Sequence, residues 1–201
     1  MITNKISRIV GIMKRLKNFL PKSALMHIYN SLVLCHINYG LVVWGGYLLA
    51  NNRLEILQKN AIRAMNNLKY NAHTESHLKK DSLLKLTDLR ALHDLTFCYR
   101  YIHKLLPKYF YKNVDYSVPH LHLTRQVDQL RIPSVRHEFA RNGISYRYPI
   151  IYNNLSENLK TFKAKISTHS LFGFKFYIKT ERIKSYKSEC HIPDCYNCQN
   201  S

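Results

Sequence analysis

Acidic residues are scarce in this 201-residue chain, with 12 Asp and Glu against 31 Lys and Arg and a formal charge of +19. Glycine is scarce too, at 6 residues, under half the roughly 7% usual in globular chains. That poverty excludes a Gly-rich phosphate loop, a Rossmann domain or a large β-barrel, and it leans toward helices. Five cysteines are too few for a disulfide scaffold of this size. Long apolar runs are missing as well. Residues 23–52 contain no Asp, Glu, Lys or Arg, but Asn30, Ser31, His36 and Asn38 break the run into pieces shorter than the ~20 residues of a membrane span. A buried core helix is the expectation there. No signal peptide is expected, because Arg8, Lys14, Arg15 and Lys17 interrupt any apolar core near the N-terminus. An intracellular location, cytoplasmic or nuclear, follows from that and from the sparse cysteines.

What is present is an ordinary apolar share, 46%, enough to argue against wholesale disorder. The excess positive charge repels itself unless a polyanion is near, so RNA or DNA is the expected partner. Residues 1–80 hold 12 basic and only 2 acidic residues, making the first part the denser cationic surface.

Ile2, Ile6, Ile9, Met13, Leu16 and Leu20 recur in steps of four and three, one stripe of an amphipathic helix. Pro21 suits the first turn of a second helix, with Leu25, Ile28, Tyr29, Leu32 and Val33 as its buried face. Gly40 and Gly45-Gly46 mark breaks on either side of Trp44. A third helix is expected over 53–68, with Leu54, Leu57, Ala61, Met65 and Leu68 inward. Thr87 or Asp88 can cap a long fourth helix whose stripe is Leu89, Leu92, Leu95, Tyr99, Ile102 and Leu106, ended by Pro107. Residues 108–160 read as loops, short strands and short helices. Residues 162–187 fit a helix through Phe162, Ile166, Ser170, Phe174 and Ile178, or a strand through Phe172, Phe174, Phe176 and Ile178. Cys35 and Cys98 sit in apolar stretches and are expected to be buried thiols.

Several stretches follow one another in a recognisable order. They are Ile28-Tyr29-Asn30-Ser31-Leu32-Val33-Leu34, His36-Ile37-Asn38-Tyr39-Gly40, Val43-Trp44-Gly45 and Leu57-Gln58-Lys59-Asn60-Ala61-Ile62-Arg63. His73-Thr74-Glu75, Thr124-Arg125, Leu130-Arg131-Ile132-Pro133, Arg136, Ile144-Ser145-Tyr146-Arg147-Tyr148-Pro149 and Asn153-Asn154-Leu155 come next. Together, over about residues 5–165, they resemble the region downstream of the palm in reverse transcriptases of non-LTR retrotransposons of the jockey and LINE types. Cys35, Ser76, Tyr152 and Ser156 depart from that pattern, standing where the family commonly has Pro, Pro, Trp and Pro, as in a diverged copy.

The resemblance implies a thumb and following linker. The parent activity would be RNA-directed DNA polymerisation, carried by a palm whose aspartates hold two Mg ions. No Asp-Asp pair occurs in this chain, and two-metal phosphoryl transfer needs such carboxylates. Mg therefore belongs only to the missing palm, and the expectation is a truncated reading frame or a piece of a longer chain. A thumb of this kind grips a template–product RNA–DNA hybrid through its backbone, positioning without reading sequence. The candidate contacts are Lys5, Arg8, Lys14, Arg15, Arg53, Lys59 and Arg63.

Cys190, His191, Cys195 and Cys198 have part of the spacing of a zinc knuckle and are the candidate Zn ligands. His120, His122 and His137 near Arg125, Arg136 and Glu138 lack the convergent acids of a nuclease, so no catalytic residue is assigned. The expected fold is mainly α: a thumb-like helical bundle over 1–107, a basic aromatic-rich α/loop region with short strands over 108–187, and a Cys/His tail over 188–201. The partners expected are RNA, DNA or their hybrid, and the rest of the polymerase. Two other readings stand beside this one. They are a stand-alone nucleic-acid-binding or chaperone protein derived from a retroelement, and a membrane-surface protein using the amphipathic segment 2–20.

Overall fold

The structure, a computed structural model, describes residues 2–46, 48–113, 131–153 and 170–188. Every regular element among them is a helix, and the short strands expected after residue 107 do not occur among the described residues. In order these are α1 (Ile2–Leu16), α2 (Lys22–Ile28), a π-helical segment (Tyr29–Leu34), α3 (Cys35–Asn38), α4 (Leu41–Trp44) and α5 (Leu48–Met65). They continue with α6 (Glu75–Lys80), α7 (Leu86–Ile102), α8 (Lys108–Asn113), α9 (Glu138–Arg141), α10 (Ile144–Asn153) and α11 (Leu171–Lys184). No helix among the described residues is long and apolar enough to cross a membrane. The uncharged run is cut instead into α2, the π segment, α3 and α4.

The chain divides into two compact units. The first comprises Met1–Leu41, Tyr47–Leu89 and Lys179–Ser201, and the second Val42–Gly46 and Arg90–Ile178.

In the first unit α1 packs on α5, the π segment and α3, and α2 on α5. The buried residues of α1 are Ile6, Val10 and Met13, with Ile2, Ile9 and Leu16 half-buried beside them. Each fully buried aliphatic side chain of this size stabilises by roughly 1.5–3 kcal/mol. Pro21 precedes α2, its φ of −66° and ψ of 156° setting the chain extended just before the first turn. The buried residues that follow are Leu25, Tyr29, Val33, Ile37 and Leu41, spaced strictly by four. An α-helix of 3.6 residues per turn would carry such a row steadily around its axis. The wider π turns over Tyr29–Leu34 rotate it back, so the row stays on one face. Ile28 and Leu32, expected inward from a 3.6 period, are displaced; Leu32 is 44% exposed. Cys35 lies between the inward positions 33 and 37, so it is exposed rather than buried, its thiol donating to the Ser31 carbonyl at 2.6 Å. Cys98 is buried as expected, and burial pushes its thiol far above the ordinary range.

Three helices end without glycine. Asn67, Ser82 and Lys104 take φ of 48°, 53° and 54°, the left-handed region that costs an L-residue roughly 1–2 kcal/mol. Each is followed by a leucine whose N–H reaches back five residues: Leu68 to Arg63, Leu83 to Leu78 and Leu105 to Arg100. This is the Schellman closure, which satisfies carbonyls left open at a helix end. It stops α7 at Ile102, short of the Leu106–Pro107 limit expected, and α5 at Met65 rather than 68. Exposed Lys104 is the strained member with no hydroxyl or amide to help it. Lys104→Gly is expected to raise stability by about 0.5–1 kcal/mol, read from the urea midpoint at unchanged slope.

Gln58 is buried on α5. Its amide nitrogen donates to Tyr29 Oη at 3.0 Å and the Leu84 carbonyl at 2.9 Å, and its oxygen accepts the Leu86 N–H at 2.9 Å. That last bond satisfies one of the open donors at the start of α7. Gln58→Leu preserves volume but orphans three polar groups, so a loss of about 2–3 kcal/mol is expected in chemical unfolding.

In the second unit Leu95, Tyr99, Phe174 and Ile178 form one cluster, and Cys98 and Tyr148 a second. Tyr99 and Phe174 rings stand 4.8 Å apart, and Tyr148 packs on Tyr101 at 4.8 Å and on Phe97 edge-to-face at 6.0 Å. The ambiguous segment resolves as helix over Leu171–Lys184. Phe174 and Ile178 turn inward while Phe172 and Phe176 are exposed. Phe162 and Ile166 lie outside the described residues. Ser170 caps α11, its hydroxyl accepting the Gly173 N–H at 3.3 Å.

Candidate nucleic-acid interface

The sequence-predicted contacts fall on α1 and α5. On α1, Lys5, Arg8, Lys14 and Arg15 are all exposed, because the opposite face carries Ile6, Val10 and Met13 into the core. Lys5, Arg8 and Arg15, three and seven residues apart, form one outward row at helical spacing. Gly11 lies between Arg8 and Arg15, and nothing stands within 4 Å of where its Cβ would be. The centre of the row is therefore bare backbone.

None of these four cations has a hydrogen bond or ion pair among the described residues. The helix dipole accounts for part of the pattern. Lys14 and Arg15 occupy the last turn, where a cation gains roughly 0.3–1 kcal/mol from the open carbonyls. Lys5 lies near the positive end of the dipole, in a helix with no acid in its first turn, so its placement is electrostatically unfavourable for the helix itself. The dipole thus accounts for the placement of Lys14 and Arg15 but not for that of Lys5.

The α5 candidates diverge. Arg53 is exposed with no partner among the described residues. Lys59 pairs with Glu55 at 2.7 Å, both well exposed, a contact of small energetic weight. Arg63 is half-buried and structurally engaged, Nε donating to the Ala72 carbonyl at 3.0 Å and Nη1 to Asn60 Oδ1 at 3.3 Å. It ties the loop after α5 to the helix, a role nothing in its sequence neighbourhood signals.

Cys190, His191, Cys195 and Cys198 lie outside the described residues, as do His120, His122 and Arg125. Arg136 and His137 are exposed. Among the described residues no three His, Cys, Asp or Glu side chains are grouped so as to hold a metal ion.

The second unit contains an ion pair hidden in the sequence. Arg147 Nη2 meets Asp94 Oδ1 at 3.1 Å and the Val42 carbonyl at 2.6 Å, with both side chains under a tenth exposed. Arg147 Nε and Nη1 are buried without a partner among the described residues. Burial raises the Asp94 carboxyl above its ordinary range despite Arg147 and Arg90 nearby, and burial likewise lowers the Arg147 guanidinium. Both directions say that desolvation outweighs the attraction between the partners.

No family model matches this chain, and no curated protein or solved structure matches it either.

Proposed function

We propose that the chain binds the sugar–phosphate backbone of nucleic acid without strong sequence preference, as the thumb and linker portion of a retroelement RNA-directed DNA polymerase. The observation that carries this reading is the outer face of α1. It presents Lys5, Arg8, Lys14 and Arg15 around the bare backbone of Gly11, with no carboxylate among the described residues to neutralise them. Long cationic side chains flanking a low centre suit a phosphodiester strand laid along the helix, each contact releasing condensed counterions. The polymerase assignment is carried by the ordered sequence resemblance alone. Chemistry in that reading is done by a palm this chain does not supply.

The same helix favours nucleic acid over a membrane surface. An interfacial helix inserts its apolar face among lipid chains. In α1 that face already packs against α5, with Ile6 and Met13 fully buried.

Fluorescence anisotropy with two unrelated RNA–DNA hybrids of equal length tests the proposal. Both should bind with affinities within a few-fold, falling steeply as salt rises, with a log–log slope near −0.9 per phosphate neutralised. A flat salt response would remove nucleic acid from the account.

A further inference from the structure

The outward row of α1 is not purely cationic. Ile12 and Phe19 belong to it, so that Lys5, Arg8, Ile12, Arg15 and Phe19 follow one another at steps of three and four. Ile12 is 52% exposed and Phe19 81%. Phe19 lies three residues past the end of α1, yet its N–H and that of Leu20 both donate to the Leu16 carbonyl, at 2.9 and 3.0 Å. The chain therefore winds on beyond Leu16, and Phe19 stands one turn after Arg15. Its ring makes no aromatic contact among the described residues.

A single apolar side chain in water is ordinary. Two of them alternating with three cations on one row make a surface that is cationic and apolar at once, and the two forms of nucleic acid meet it differently. A duplex engages the cations alone, because its bases are stacked inside and it offers a neighbouring helix chiefly phosphate and sugar. An unpaired strand engages both, since its bases turn flat faces outward that stack on aromatic rings while its phosphates keep their charge. A lipid surface suits the row less well. An interfacial helix needs one broad apolar face, and here Arg15 separates Ile12 from Phe19.

We infer that the nucleic acid held along α1 is unpaired where it passes the end of the helix, with one base stacked on the Phe19 ring and the adjoining phosphate on Arg15. The ligand is thus a hybrid duplex that runs out into a single strand. This inference rests on the reading of α1 as a backbone-binding face and adds which part of the nucleic acid lies at its end. Stacking tolerates any sequence, because every base has a π face, so the weak sequence preference of that reading is kept.

The test uses the intact chain and one RNA–DNA hybrid in three forms: blunt, with a single-stranded tail of five thymidines, and with a tail of five abasic residues that keeps the phosphates and lacks the bases. The thymidine tail should bind about tenfold tighter than the abasic tail, as one stacked base allows. Phe19→Ala should remove that advantage at unchanged salt slope, since no phosphate contact is lost, whereas Phe19→Tyr should keep it. Phe172→Ala, at a ring 80% exposed on α11, should leave the advantage within twofold. 5-Iodouracil in the tail should crosslink to the tryptic peptide Asn18–Lys22. The inference is overturned if the abasic tail binds as tightly as the thymidine tail, if the two alanine variants lose equally, if crosslinks fall only on other peptides, or if Phe19→Ala weakens binding to anionic vesicles and leaves the tail advantage in place. Salt-sensitive binding of the blunt hybrid with no gain from the bases counts against the stacking alone. A flat salt response of the blunt hybrid counts against α1 as the binding face, and so against both.

Discussion

Asp94→Ala is expected to destabilise the protein by about 3–5 kcal/mol, because it leaves the Arg147 guanidinium buried with its charge uncompensated. Among the described residues only Nη2 of that group is bonded, to Asp94 and to the Val42 carbonyl, while Nε and Nη1 have no partner there. Removing the carboxylate leaves one carbonyl to hold a buried cation. Replacing both partners, as in Asp94→Leu with Arg147→Met, should recover most of the loss, since burial outweighs the mutual attraction at both groups. The pH dependence has a definite sign. A carboxyl whose folded pKa is raised binds its proton more readily in the folded state. Its contribution to stability is therefore present below the unfolded pKa and lost as pH rises through the folded one. Wild-type stability should lose this contribution as pH rises through the acid range, and the double variant should lack that component. Urea unfolding of the three proteins across the acid range measures both effects. A double variant as unstable as Asp94→Ala would contradict the account.

Neutralising α1 should cost affinity without costing the fold. Lys5, Arg8, Lys14 and Arg15 are exposed and support no contact among the described residues, so their replacement by Gln leaves the buried stripe Ile6, Val10 and Met13 untouched. Binding of an RNA–DNA hybrid should weaken by about 100-fold near 0.1 M salt, and the salt slope should flatten by roughly 2–3.6 as up to four phosphate contacts are lost. The control is a variant with Arg100, Lys108, Arg136 and Arg141 changed to Gln. These are exposed residues of the second unit, and the variant carries the same net charge. If it loses as much affinity, total charge rather than α1 governs binding.

Much of the helical architecture was legible in the amino-acid pattern, and the misses have physical causes. The stripe of α1 and the existence of α5 and α7 follow from apolar spacing near 3.6. The breaks at Gly40 and Gly45-Gly46 follow from glycine, Gly40 having φ of 65°. On the expected inward face of the second helix Leu25, Tyr29 and Val33 are buried, but Leu32 is exposed, because an inward spacing of four belongs to a chain with π turns, which a 3.6 template cannot represent. Cys35 went wrong for the same reason. Helix ends at Asn67, Ser82 and Lys104 were hidden because the usual glycine is absent and the Schellman closure rests on the leucine that follows. Buried polar centres are the hardest to foresee. Gln58, Asp94 and Arg147 look like surface residues until tertiary partners are known, and Tyr186 meets Asp88 from 98 positions away in the sequence. Of the candidate contacts, the α1 row needed only periodicity and charge. Arg63 needed the loop carbonyl of Ala72.

Covalent labelling of lysines, read by mass spectrometry with and without a bound RNA–DNA hybrid, asks most directly whether a polyanion lies along α1. Lys5 and Lys14 should be strongly protected, while Lys104 and Lys108 react as in the free protein. Protection spread evenly over all four, or confined to the second pair, would show that the helix beginning at Ile2 is not where the strand is held.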